Sequence, residues 1–259
     1  MNAPASDTSS DDFYVGWQPR APRPLARVLR RRALALLALV AAVAATLAWA
    51  HTRRPGARFE YGTSVELAGT VVASPFPHLL VERPGATDDL PAASSYALVA
   101  PFKHGADALV AGLDGRAVRL RATLAYRDGV VVAEVEPGSL AEEPGPRPTG
   151  AEPVALGRHT LAGEIVDSKC FFGVMNPGEL KPHRACAARC ISGGIPPVLC
   201  VRDAAGRASY LWLVDARGGP VNAEVLDLVA EPVEVTGEVE RRGELLVLFA
   251  DPATYRRLE

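Results

Sequence analysis

Recognisable chemical motifs are what this 259-residue chain has least of. It contains no C-x-x-C, no C-x-x-C-H, no G-x-S-x-G and no glycine-rich phosphate loop. The common dithiol oxidoreductase, covalent haem, serine-hydrolase and nucleotide-binding readings therefore have no footing in it. Aromatic residues are only 6%, so the core is aliphatic. Lysine is nearly absent, three of 28 basic residues, in a chain rich in Ala, Arg, Gly and Pro. That bias points to a high-GC bacterial genome and carries no mechanism. Basic charge is also short in the part expected to fold. From Phe59 to Glu259 there are 19 basic and 27 acidic residues, a poor surface for nucleic acid, so no nucleic-acid partner is expected.

Charge is missing altogether from residues 33–50, ALALLALVAAVAATLAWA. Eighteen helical residues span roughly 27 Å, enough for a thin bilayer. Six arginines precede the run, at 20, 23, 27, 30, 31 and 32, and three follow it, at 53, 54 and 58. This asymmetry predicts a single uncleaved anchor with a cytoplasmic N-terminus and the folded part in the periplasm, at a bacterial inner membrane. Ala48-Trp49-Ala50 has the form of a signal-peptide cleavage site, but the 32-residue leader before the run argues for an anchor. Pro22, Pro24 and the polar stretch before Phe13 predict a disordered tail over 1–32, with Phe13, Tyr14 and Trp17 as an incidental aromatic island.

Two stretches then repeat. Leu67–Ser74, LAGTVVAS, matches Leu161–Ser168, LAGEIVDS, at five of eight positions. Downstream of each the order of patterns agrees. The first copy reads strands at 65–74, 77–83 and 95–101, a helix at 105–113, and strands at 116–126 and 129–135 about the turn Arg127-Asp128-Gly129. The second reads strands at 158–167, 197–202 and 208–215, a helix at 221–229, and strands at 232–240 and 243–250 about Arg241-Arg242-Gly243. Three strands, a helix and two strands is the order of an OB-fold, and Gly69 and Gly163 fit the bend that a small barrel needs. The predicted fold is mainly β: one transmembrane helix, then tandem five-stranded OB-like barrels by internal duplication, each with one short helix. The barrels are expected at 60–136 and 157–255, with a Pro/Gly/Glu-rich linker at 137–156.

The second copy is 21 residues longer between its matching serine and valine, 65 residues from Ser168 to Val233 against 44 from Ser74 to Val118. The extra length falls on a cysteine segment between the first two strands, a loop that OB-folds use for ligands. Its spacing is C-x12-H-x2-C-x3-C, from Cys170 through His183 and Cys186 to Cys190. Pro182 can start a helix and Gly193 can end it. On that helix His183, Cys186 and Cys190 share a face. Three readings stay open. Disulfides could staple the loop, as an even cysteine count in an oxidising compartment suggests. Cys170, His183, Cys186 and Cys190 could bind zinc or copper(I), with Met175 as an added soft ligand. A redox dithiol is the third. Cys200 fits equally well as a core residue. Asp167 and Glu179 are the only carboxylates in the segment and neither shows a partner, so no general base is expected beside the cysteines. His78 and His104 read as surface histidines.

With D-x2-C, F-x-G-V-M, H-R-x-C-A-x2-C and G-G-I-P-P, the stretch Gly163–Pro197 resembles a segment of uncharacterised bacterial membrane-anchored exported proteins with a Cys/His-containing OB-like domain. That resemblance covers about 35 residues and implies a localisation and a site, not a reaction. The resulting expectation is an accessory or assembly subunit of an envelope complex, partnered by another envelope membrane protein, rather than an enzyme. The alternative is a metal-dependent or thiol redox enzyme using the same loop.

Overall fold

The structure, a computed structural model, describes residues 21–52, 57–84, 92–145 and 148–258. The aromatic island at 13–17 lies outside them. Helix α1, Arg23–Thr52, has 30 residues. One 18-residue stretch of it reaches a mean hydropathy of 2.3, and the helix is long and apolar enough to cross a membrane, as an anchor or as a signal sequence. It begins well before residue 33, so the arginines at 23–32, expected in a disordered tail, are helical. Pro22 and Pro24 do not prevent this. They sit at the first turn, where an amide has no acceptor within the helix anyway, and the Pro22 carbonyl accepts from Ala26 N–H at 2.9 Å.

The described residues between 57 and 258 form one compact unit of two closed five-stranded barrels. The first is built from β1 (Val65–Val72), β2 (His78–Glu82), β3 (Ala93–Ala100), β4 (Ala117–Arg127) and β5 (Val130–Val135). The second is built from β6 (Val154–Asp167), β7 (Pro197–Arg202), β8 (Ala208–Val214), β9 (Pro232–Arg242) and β10 (Leu245–Phe249). In the first, β1 pairs antiparallel with β2 and β4, β2 with β3, β4 with β5, and a parallel β3–β5 pairing closes the ring. The second repeats every one of these pairings, closing through parallel β8–β10.

The repeat extends to register. Gly69 pairs with Val118 as Gly163 pairs with Val233. At both glycines the first strand begins to leave the fourth strand for the second. A Cβ on Gly69 would lie 2.2 Å from the Leu80 carbonyl oxygen, and one on Gly163 would lie 2.6 Å from that of Cys200. Leu80 and Cys200 are themselves equivalent by register, opposite Thr70 and Glu164. These glycines are therefore fixed by close approach of two backbones rather than by a turn.

The helices between third and fourth strands are slighter than their patterns predict. In the first barrel α2 is only Asp107–Val110. In the second the expected helix over 221–229 is a turn with one short 3-10 segment, Leu226–Leu228. Val221, Val225 and Val229 are nevertheless fully buried, so the periodic apolar positions are core positions of a chain that turns without forming an α-helix. The second hairpin turns at Gly243-Glu244, so its strands end and begin two residues later than expected.

Each barrel has its own aliphatic interior. A third apolar cluster joins them. It combines Phe76, Ala97, Val99, Ala125 and Val132 of the first barrel with Phe171, Phe172, Cys190, Ile195 and Trp212 of the second. Phe76 stacks on Trp212 with ring centroids 4.0 Å apart, and the buried Arg127 guanidinium lies 4.1 Å from the Phe171 ring centre. The cysteine segment supplies much of this cluster.

Candidate metal centre

Eleven residues along the chain separate Gly69 from Leu80, and 37 separate the equivalent Gly163 from Cys200. The additional chain between β6 and β7 forms a wide single turn, Cys170–Val174, and helix α3, Leu180–Ser192. The turn buries Cys170, Phe171 and Phe172 among the residues between the barrels. Helix α3 begins two residues before Pro182, which occupies its first turn, and Gly193 caps its C-terminus by donating to the Arg189 and Cys190 carbonyls. The helix buries His183, Ala187, Cys190 and Ile191. The cysteine segment is thus wedged between the barrels and is not a free ligand loop.

Three of the four cysteines meet there. Cys170 Sγ lies 3.7 Å from Cys190 Sγ and 3.9 Å from Cys186 Sγ. All four cysteines are unpaired in this structure, so the disulfide that one of the three readings foresaw is not present in it. The imidazole joins the group: ligand atoms of Cys170, His183 and Cys186 all lie within 4.8 Å of one another, as do those of Asp167, Cys170 and Cys190. This Cys/His/Asp cluster could hold a metal ion. The spacing suits one, because two sulfurs each about 2.3 Å from a tetrahedral zinc stand about 3.8 Å apart.

Asp167, at the end of β6, was expected to have no partner and proves to be central. Its Oδ2 lies 3.0 Å from His183 Nε2, and both side chains are buried. Its Oδ1 accepts from the backbone amides of Lys169 and Cys170. With Nε2 engaged, Nδ1 is the nitrogen left to His183 for a metal, the usual arrangement in which a carboxylate orients a ligating histidine. The expectation of no general base beside the cysteines meets the same pair, a carboxylate and an imidazole next to Cys170. Glu179 is also paired, with Arg202 at 2.6 Å.

The first barrel contributes Lys103. Its Nζ donates to Cys186 Sγ at 2.9 Å and to Cys190 Sγ at 3.4 Å. Partial burial works against its charge, but the hydrogen bonds and attraction of these two sulfurs outweigh that and hold the ammonium above its ordinary pKa. The Cys190 thiol is shifted down, chiefly because Cys170 donates an S–H to it, with further help from Lys103. Cys170 is shifted up by making that same hydrogen bond, by burial and by the negative charge of Asp167. Of the three sulfurs, Cys190 is thus the one favoured to carry negative charge, with the Lys103 ammonium 3.4 Å away.

The chain matches no protein family and no curated protein. The site must therefore be read from its own geometry.

Several expected positions fall elsewhere. Met175 is exposed and is in neither ligand group. Cys200 lies on β7, buried and apart from the other three sulfurs; burial pushes its thiol up to about 11. It borders a groove of about 700 Å³ with Gly163, Glu164, Leu180, Pro182 and Arg202. His104 is exposed, as expected, but His78 is buried, with Nδ1 2.9 Å from the Phe76 carbonyl oxygen. Sequence reasoning missed Asp167 and Lys103 as site residues. Lysine rarity was the available signal, because each of the three lysines engages this region. Lys169 pairs with Glu134 at 2.5 Å, and Lys181 lies 3.6 Å from Glu231, which also binds Arg184 of α3.

Proposed function

We propose that this chain is a membrane-anchored, extracytoplasmic accessory subunit of an envelope complex, and that its second barrel carries a structural zinc site. The proposed ligands are Cys170, Cys186, Cys190 and His183, with Asp167 orienting the imidazole. The observation that carries this reading is that Cys170 stands 3.9 Å from Cys186 and 3.7 Å from Cys190, distances that two zinc-bound sulfurs would have, with the His183 imidazole within 4.8 Å of Cys170 and Cys186. Burial favours a structural role over a catalytic one. Three of the four proposed ligands, Cys170, Cys190 and His183, are each at most 5% exposed and Cys186 is half-buried, whereas a catalytic zinc keeps a position open to substrate. Charge favours a divalent ion. Zinc on three thiolates leaves a single negative charge, which the Lys103 ammonium offsets, whereas copper(I) leaves two in a buried site. The anchor and compartment rest on α1 and on the arginine asymmetry about it.

The test is metal analysis and thiol titration of the full chain purified in detergent from bacterial envelopes. One zinc per chain, with three thiols released only on chelation, is the expected result. One copper per chain would keep the ligands and replace the metal. Neither metal, with all thiols freely reactive, would overturn the site.

The 3.7 Å between Cys170 and Cys190 favours a second reading, closure to a disulfide in an oxidising compartment. In that case the same titration gives two fewer thiols and no metal.

A further inference from the structure

The zinc reading places every ligand on the second barrel, yet the first barrel touches two of the sulfurs. Lys103 reaches Cys186 and Cys190 from the segment Ala100–Gly105. The backbones there are in direct contact. The Gly105 amide donates to the Gly193 carbonyl at 2.9 Å, immediately after the helix that carries Cys186 and Cys190. A Cβ on Gly105 would lie 2.1 Å from the Gly194 carbonyl oxygen, and one on Gly193 would lie 1.8 Å from that of Lys103. The contact is reinforced in the other direction. Lys169, next to Cys170, donates to the Ala100 and Phe102 carbonyls at 2.9 and 2.6 Å. The two lysines are thus exchanged across the junction, each bonded to the other's neighbourhood.

We propose that the metal centre is shared by the two barrels, with Lys103 as its outer-shell positioning residue, so that metal occupancy and docking of the first barrel are thermodynamically linked. The inference rests on the zinc reading. A donor that binds metal-bound thiolates holds its own barrel against them. Whatever favours docking then favours the metal, and the metal must favour docking by the same factor. The residue type fits the role. Arginine makes up 25 of the 28 basic residues, and lysine stands at this position. A compact ammonium with three donors can approach two sulfurs from one point, which a planar guanidinium fork does less well.

The experiment uses the full chain in detergent, loaded with zinc alone, with affinity measured by competition against a chromophoric chelator. Lys103→Met is expected to weaken zinc binding by about 10–100-fold, the range for loss of an outer-shell partner. Lys103→Arg, which keeps the charge, is expected to fall between the two. Gly105→Ala alters neither the four ligands nor Lys103 but forces the backbones apart, and is expected to weaken binding in the same direction. Hydrogen exchange at the Gly105 amide reads the linkage without any variant. Stripping zinc from the wild type should speed that exchange, while in Lys103→Met the exchange should no longer respond to zinc. A wild type that binds zinc but shows the same Gly105 exchange with and without it overturns the linkage and leaves the zinc site standing. Equal zinc affinity in wild type and Lys103→Met overturns the role of Lys103. A wild type that binds no zinc overturns the underlying reading itself.

Discussion

His183 Nε2 and Asp167 Oδ2 stand 3.0 Å apart, both buried, one on the helix of the cysteine segment and the other at the end of the strand that precedes it. This pair decides which imidazole nitrogen is free to face the sulfurs. It also ties α3 to the barrel independently of any sulfur. Asp167→Asn replaces a charged acceptor by a neutral amide and weakens the hold on the ring. Zinc affinity is expected to fall by about 10–100-fold. Chelator competition measures it, and an unchanged affinity would show that Asp167 serves the local backbone alone, through the Lys169 and Cys170 amides.

His183→Ala separates the two chemistries available to the cysteines. If zinc is held, zinc content of the purified chain should drop while the circular dichroism of the barrels is retained. If Cys170 is instead disulfide-bonded, the histidine is a bystander to the covalent link. Then Cys170→Ser should be the change that lowers stability, by about 2–4 kcal/mol. Zinc analysis and thermal melts of the two variants, taken together, distinguish these outcomes.

The barrels were legible in the sequence because their signals are local. LAG repeats at 67 and 161, strands alternate, and Asp128-Gly129 makes a two-residue hairpin in which both φ angles are positive. The helix that carries His183, Cys186 and Cys190 was legible too, since Pro182 and Gly193 bound it and the three residues follow helical spacing. What the sequence did not reveal depends on distance along the chain. Lys103 lies 83 residues from Cys186, and no local pattern links them. Asp167 was read as the end of a strand, and its partner stands 16 residues away across a wide turn. The apolar periodicity at 221–229 was read as helix because burial at those positions looks the same whether the chain coils or turns.

Stability should respond to pH through His78. Burial lowers its pKa below the ordinary 6.5, and nearby Arg242 lowers it further. The Phe76 carbonyl, which accepts from Nδ1–H, and the negative charge of Asp114 act the other way. The unfolded chain takes up a proton near pH 6.5, which the folded chain resists. Stability linked to this residue is therefore present above pH 6.5 and is lost as the pH falls from there towards the lowered folded value. His78→Asn keeps a donor for the Phe76 carbonyl and does not titrate. The difference in melting temperature between wild type and variant should change across that window and level off above it. A constant difference would mean that His78 is not the titrating group.

The two equivalent glycines offer a test of how far the barrels stand on their own. Gly69 and Gly163 occupy the same register position, and each faces a carbonyl oxygen of its second strand, at Leu80 and at Cys200. Alanine at either forces β1 from β2, or β6 from β7, and overpacking of that kind costs about 1–3 kcal/mol. The consequences should differ. Gly69→Ala strains a barrel whose interior is its own apolar cluster, so hydrogen exchange should rise in β1 and β2 while the zinc content stays near that of the wild type. Gly163→Ala acts on β6, which ends at Asp167 and leads into Cys170. Displacing that strand moves one proposed ligand and the partner of another. Its zinc affinity should therefore fall by more than in Gly69→Ala, even where the two variants melt at similar temperatures. Equal zinc affinity in the two variants would place the metal site beyond the reach of barrel strain, held by α3 and the junction alone.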